Sequence, residues 1–230
     1  MSEHILQGAP DVPLTLRRSG RARRISLRIS QLDGRVTLTL PNGVPEDEAL
    51  AFALQKETWI RGHLDKREVD VPISIGSHVP VGGEAHEVVQ GTGRRVVIGD
   101  GVIAVPGDEA RMGARLKGHF KQMARVRLVH SSDFYAERLG KSYARISIRD
   151  TRSRWGSCSS AGTLMYSWRL IMAPDQVLNY VAAHEVAHLA EMNHSSAYWA
   201  QVTRIFGDYK PARHWLRTQG NELHRYRFAE

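Results

Sequence analysis

Residues 182–194 read AAHEVAHLAEMNH. His184 and His188 are four residues apart, which on a helix stacks them one turn above the other on the same face. Glu185 lies beside the first histidine, and His194 follows six residues after the second. Zn²⁺ favours imidazole nitrogen, and a catalytic zinc site keeps one position open for water. HEVAH therefore supplies two candidate ligands, with Glu185 as a candidate general base that takes the water proton and later passes it to a leaving amine. The stretch marks the second half of the chain as the part that carries a helix with a metal site.

Two residues compete for the third ligand position. The offset from His188 to His194 is that of the HExxHxxGxxH zinc-protease pattern, in which a glycine lets the chain turn sharply. Glu191 occupies the glycine position here, so the turn needs another device. Asn193 is the expected one, because asparagine tolerates the left-handed conformation at a helix end. His194 would then swing back just before Ser195 or Ser196 caps the next helix. Glu191 shares a face with both histidines if the helix continues, but its Cα would lie about 10 Å along the axis from that of His184. It is expected to serve as an acceptor for a ligand imidazole or as a surface acid, with His194 as the ligand.

Around this stretch, ARISIRD (144–150) alternates as a strand and TRSRWGSCSSAG reads as a loop. TLMYSWRLIMA (163–173) reads as a second strand, antiparallel to the first and a candidate sheet edge for an extended peptide. Pro174 and Asp175 suit a helix N-terminus. Upstream, RRISLRIS and VTLTL (36–40) alternate in period two about a turn at QLDGR. In PNGVPEDEALAFALQKETWIRGHLDK, Pro41, Asn42 and Gly43 break the strand, the acids Glu46, Asp47 and Glu48 suit the start of one helix, and Leu50, Ala53, Leu54, Ile60 and Leu64 fit one face of it. Short runs at 71–75, 84–90, 94–98 and 101–105 read as a meander. Residues 111–139 read as a helix ended by Gly140, with Leu116, Phe120, Met123 and Val126 among its apolar positions. The expected organisation is a tail over 1–13, a β-rich lobe over 14–107 and a catalytic lobe over 108–230.

With 230 residues, 42% of them hydrophobic, the chain can bury a substantial core. No apolar run approaches the roughly 18 residues that cross a bilayer. The N-terminus lacks a secretory pattern, and the single cysteine, Cys158, forms no internal disulfide. A cytoplasmic location is the default expectation. The formal charge of +8 is concentrated in RRSGRARRISLR (17–28). That run suits either a nucleic-acid or phosphate partner or a solvated edge strand kept from aggregating by its charges.

The stretch IRDTRSRWGSCSSAGTLMYSWRLIMAPDQVLNYVAAHEVAHLAEMNHSSAYWAQV strongly resembles the YgjP-like metallopeptidases, relatives of the SprT and WLM groups. RWGSCS at 154–159, WRLI at 168–171, the Pro174 helix start, NHS at 193–195 and Trp199 all carry the likeness. RRISLRI, PNGVP and QKETWI extend it to most of the chain. The resemblance implies an α+β fold with a zincin-like lobe, in which an antiparallel sheet lies above the HExxH helix. It also implies His184, His188 and His194 as zinc ligands, Glu185 as base, and a peptide or protein substrate.

Other residues invite roles. Cys158 is expected to be a small buried cysteine, its rival reading being a redox-sensitive thiol near the metal. Arg152 and Arg154 suit either an oxyanion or an acidic substrate group, or an ion pair with Asp150. Trp168 reads as core. Trp199 is expected behind the metal helix, with Tyr198 or Tyr209 as candidate donors to a tetrahedral intermediate. His214 and His224 read as ordinary histidines on a terminal amphipathic helix. Three functions compete: a zinc peptidase, a metal-dependent hydrolase of nucleotide phosphoanhydrides, and a nucleic-acid-associated protease module. The embedded base of HEVAH favours the first. Phosphoryl chemistry more often uses Mg²⁺ with oxygen ligands, and no phosphate-cradling glycine loop is present.

Overall fold

The structure, a computed structural model, describes residues 2–30, 33–65 and 69–228. Gln31 and Leu32 of the expected QLDGR turn, and Lys66 at the end of the expected first helix, lie outside the described residues. The fold is mixed α+β, with several small sheets and six helices among the described residues. The chain divides into two compact units at Val69/Asp70.

In the first unit, β1 (Ser2–Leu6), β2 (Val12–Arg18), β3 (Ser26–Ile29) and β4 (Val36–Leu40) form a sheet ordered β1-β2-β4-β3. Residues 2–6, expected within a tail, instead pair antiparallel with β2 and bury Leu6. The alternation of VTLTL places Val36, Leu38 and Leu40 fully inside, against Ala49, Ala53 and Ile60. Those last three belong to two helices rather than one, α1 (Glu46–Gln55) and α2 (Glu57–Asp65), with a break at Lys56. Leu54, expected on the buried face, is exposed. The arginines of residues 17–28 are all exposed. Arg18 donates to the carbonyls of Asn42 and Val44 and so ties down the turn that leads into α1.

The second unit begins with β5 (Val71–Pro72). The next strands are β6 (His78–Val81), β7 (Glu84–Gly91), β8 (Val97–Gly99) and β9 (Val102–Pro106), ordered β6-β7-β9-β8. This is no simple meander, because β7 and β9 pair in parallel. Val79, Val88, Ile103 and Val105 share one core with Leu116 and Phe120 of α3 (Met112–Leu139). That shared burial puts the division near residue 69 rather than at the expected 107/108. Gly140 ends α3 in the left-handed conformation, as expected, whereas Val126 is exposed.

The sheet next to the site contains β10 (Arg145–Arg149), β11 (Gly156–Cys158) and β12 (Thr163–Ser167), ordered β10-β12-β11. Contrary to expectation, β10 and β12 run parallel, and only the short β11 is antiparallel to β12. The WRLIM segment is a 3-10 turn, not strand: all five residues are buried, which a two-sided strand with one solvated face does not allow, and Ser167 caps the turn. Helix α4 (Asp175–Ala187) starts at Asp175, which pairs with Arg127 of α3 at 2.7 Å. It is buried nearly all round, as expected of a helix apolar on every face. Ser131 of α3 donates to Asn179 at 2.7 Å, and Ser132 bonds the buried Tyr166 hydroxyl at 3.0 Å. These bonds fix α4 and β12 against one helix. Helices α5 (Ser196–Phe206) and α6 (Lys210–Thr218) follow, and β13 (Tyr226–Arg227) pairs with β5.

Beneath the RWGSCS loop, the buried Arg169 donates to Asp150 at 2.8 Å and to the carbonyls of Leu223 and Tyr226. His224 lies in a 3-10 turn, buried against Trp155 at a ring distance of 5.1 Å, and not on an amphipathic helix. Burial, with help from the Arg169 charge, pushes its pKa down to about 4. Its folded value is below its unfolded one, so its contribution to stability is complete above about pH 6.5 and is lost as pH falls towards 4. Urea midpoints measured across that range are expected to fall less for His224→Phe than for wild type. Parallel curves would contradict this.

Candidate metal centre

His184 projects from the last turn of α4, and His188 stands at its C-terminal cap. The chain then tightens through bonds from Leu189 to the Val186 carbonyl and from Ala190 to the Ala187 carbonyl. Asn193 does not take the left-handed conformation expected of it; Asp100 alone does so among the described non-glycine residues. Its side chain instead accepts from the Ser195 N–H at 3.2 Å, an Asx turn that redirects the backbone. Ser195 caps α5, as expected, accepting from Tyr198 N–H. This path returns His194 to the helix it left, with its Nε2 3.2 Å from that of His184.

His184, His188 and His194 each offer one nitrogen, all within 4.8 Å of one another, and together they could hold a metal ion. Two nitrogens on a tetrahedral zinc lie about 3.3 Å apart, close to the His184–His194 spacing. Burial pushes the His184 pKa down to about 3, and His188 also falls below its ordinary value through burial. Both rings are therefore neutral, the form a metal requires. His188 Nδ1–H donates to the Glu191 carbonyl at 3.0 Å, which leaves its Nε2 lone pair for an ion. Glu191 thus acts on the site through its backbone, not its carboxylate. His184 Nδ1 lies 3.4 Å from the Tyr180 hydroxyl. The sequence signal for Tyr180 was its place one turn before His184 on the same face.

Glu185 is buried, 5% exposed, and burial pushes its pKa up to about 8 against the opposing charge of Arg154. Its side chain lies on Gly156 of the RWGSCS segment. A Cβ at that position would stand 2.5 Å from Oε1 and 2.6 Å from Cγ of Glu185. Glycine is therefore required there by close approach, although its φ is ordinary.

A sequence profile of the YgjP-like metallopeptidase domain matches residues 23–219. The chain belongs to the YgjP-like metallopeptidase family. No curated protein matches it. Among solved structures, the metallopeptidase zymogen of Pyrococcus abyssi abylysin is similar at 22% identity with a TM-score of 0.36, covering 40% of this chain and 95% of that one. Membership makes a metal ion and a peptide or protein substrate part of the description. No described helix is long and apolar enough to cross a membrane.

The rest of this YgjP-like centre corrects several expectations. Tyr198, not Trp199, packs behind the histidines: it is fully buried, stacks on His188 and donates to the His184 carbonyl at 2.9 Å. Its hydroxyl is thereby committed. Trp199 stacks between His194 and Tyr209. The sheet edge beside α4 is β11, since β12 lies in the centre. Cys158 is only partly buried and lines an opening of about 230 Å³ together with the three histidines and Glu185. Burial and the Glu185 charge push its thiol up to about 11, so it is protonated at neutral pH. Asp150 pairs with Arg169 at 2.8 Å.

Proposed function

We propose that this chain is a zinc peptidase of the HExxH type with a zincin-like lobe, in which His184, His188 and His194 hold the ion and Glu185 is the general base. One observation carries the reading: three imidazole nitrogens converge beside a buried carboxyl, in a member of a metallopeptidase family. Imidazole ligands suit zinc better than Mg²⁺ or Ca²⁺. A zinc ion held there supplies Lewis acidity and brings the pKa of a coordinated water to about 7.

The protein's own groups do the rest. Glu185, fixed against Gly156, takes a proton from the attacking water. It returns that proton to the amide nitrogen as the new C–O bond stands and the C–N bond breaks. A carboxyl poised near neutrality can make both transfers, and the cation beside it favours the ionised form that begins the cycle. Tyr180 and the Glu191 carbonyl orient the two α4 imidazoles, and Tyr198 closes the site from behind. A larger hollow of about 480 Å³, lined by Tyr143, Ser159, Gly162, His188 and Met192, gives a substrate chain room beyond the centre.

The test is turnover by protein stripped with a chelator and reloaded with zinc, against a peptide library and a nucleotide panel, with and without DNA. Peptide cleavage restored by one equivalent of zinc is the expected result. Pyrophosphate release with intact peptides would overturn the reading, and cleavage only in the presence of DNA would make the exposed arginines of residues 17–28 part of the function.

A further inference from the structure

A second cavity of about 230 Å³ adjoins the histidine opening and shares Gly156, His184 and Glu185 with it. Its other walls include Arg154, Trp155, Tyr180 and Leu216. Arg154 is exposed, and its positive charge is felt at Glu185. Arg213, on α6, stands three residues before Leu216 and so shares its face of the helix. The Arg213 guanidinium stacks on Trp199 at 4.7 Å, and Trp199 stacks in turn on Tyr209 at 4.7 Å. Its charge reaches His184 and Tyr180, both of which line the cavity.

Stacking engages the face of a guanidinium and leaves its edge N–H donors available. Among the described residues neither Arg154 nor Arg213 forms an ion pair with a carboxylate. One such cation, Arg154, therefore lines a pocket with Trp155, Tyr180, Val181 and Leu216 among its walls and His184 and Glu185 at the end shared with the histidine opening, while Arg213 lies one turn from the Leu216 wall. Solvated surface arginines are common, but Arg154 lines this cavity, Arg213 stands on the helix that supplies its Leu216 wall, and the cavity touches the proposed base. Arg154 does not line the opening formed by the three histidines, so its place is beside the reacting centre rather than on it.

We propose that this cavity is a specificity subsite for a substrate carboxylate, with Arg154 and Arg213 as its partners; this rests on the peptidase reading above. The carboxylate comes either from an aspartate or glutamate side chain near the scissile bond or from a chain terminus. A charge-assisted pair at a partly exposed site supports a preference of about tenfold.

The experiment has a cleavage arm and a binding arm. Zinc-loaded wild type and Arg154→Glu are given peptide libraries with free or amidated C-termini. Binding of Asp/Glu peptides and their Asn/Gln counterparts is measured calorimetrically to Glu185→Gln and to the Glu185→Gln/Arg154→Glu double variant, with thermal melts confirming that each is folded. The expected result is about tenfold selection of the acidic peptide in both arms, which Arg154→Glu turns towards lysine. Arg154→Gln and Arg213→Gln are each expected to weaken the acidic preference without reversing it. Persistence with amidated peptides assigns the carboxylate to a side chain, and loss assigns it to a terminus. Cleavage without acidic preference, or a preference unchanged by Arg154→Glu, overturns the subsite and leaves the peptidase reading standing. Acidic selection in binding with no cleavage by wild type does the reverse, and absence of both removes both.

Discussion

Glu185→Gln is expected to lower kcat by about 10²- to 10⁴-fold, the contribution typical of a positioned acid–base group, while the protein stays folded and retains its zinc. Glutamine fills nearly the same volume against Gly156, and an amide leaves no charge buried at a residue that is 5% exposed. What it cannot do is accept a proton. The carboxylate is not one of the three groups that converge as candidate ligands, so metal content should not follow activity. Steady-state peptide cleavage beside zinc analysis of the same sample checks this. A zinc-loaded variant within about tenfold of wild type would remove Glu185 from the chemistry.

Gly156→Ala is expected to be nearly as damaging, for a reason of space. The added methyl would lie 2.5 Å from Glu185 Oε1 and 2.6 Å from its Cγ, well inside carbon–carbon contact distance. The carboxylate must then leave its place or β11 must draw away from α4. The shift needed is of order 1 Å, and misplacement on that scale costs a reaction about 10²-fold. The three atoms nearest the new methyl all belong to Glu185 and none to the three histidines, so zinc binding should persist. A fall in kcat of about 10²-fold at full zinc content is the expected outcome, measured as for Glu185→Gln. Unchanged turnover would mean that Glu185 works from a different position.

Much of the site was legible from spacing. Two histidines four apart, the Pro174–Asp175 helix start and the Ser195 cap are local features governed by helical periodicity and capping, and the structure has each of them. The fold around them was less so. Alternation in ARISIRD and TLMYS fixes which face each residue takes but not which strand pairs with which, so the parallel β10–β12 pairing was not recoverable. The WRLIM turn was hidden because an unbroken apolar run fits a buried strand and a buried turn equally well. Tyr198 took the place expected of Trp199 behind the histidines because neighbours on a helix point about 100° apart, and only the packed structure decides which faces inward. Gly156 lay in a loop-like glycine–serine stretch with no local conformational signal, its constraint coming from a residue 29 positions away. Glu191 was a question about a carboxylate, and its answer was a carbonyl.

The assignment of the third ligand is the central claim, because it separates this site from the glycine-containing pattern it partly matches. The direct measurement is zinc stoichiometry by elemental analysis of wild type, His194→Ala and Glu191→Ala after dialysis against a weak chelator. The expected result is about one zinc per chain in wild type and in Glu191→Ala, whose backbone carbonyl still holds His188, and loss of stoichiometric zinc in His194→Ala. Full zinc in His194→Ala together with its loss in Glu191→Ala would contradict the three-histidine centre.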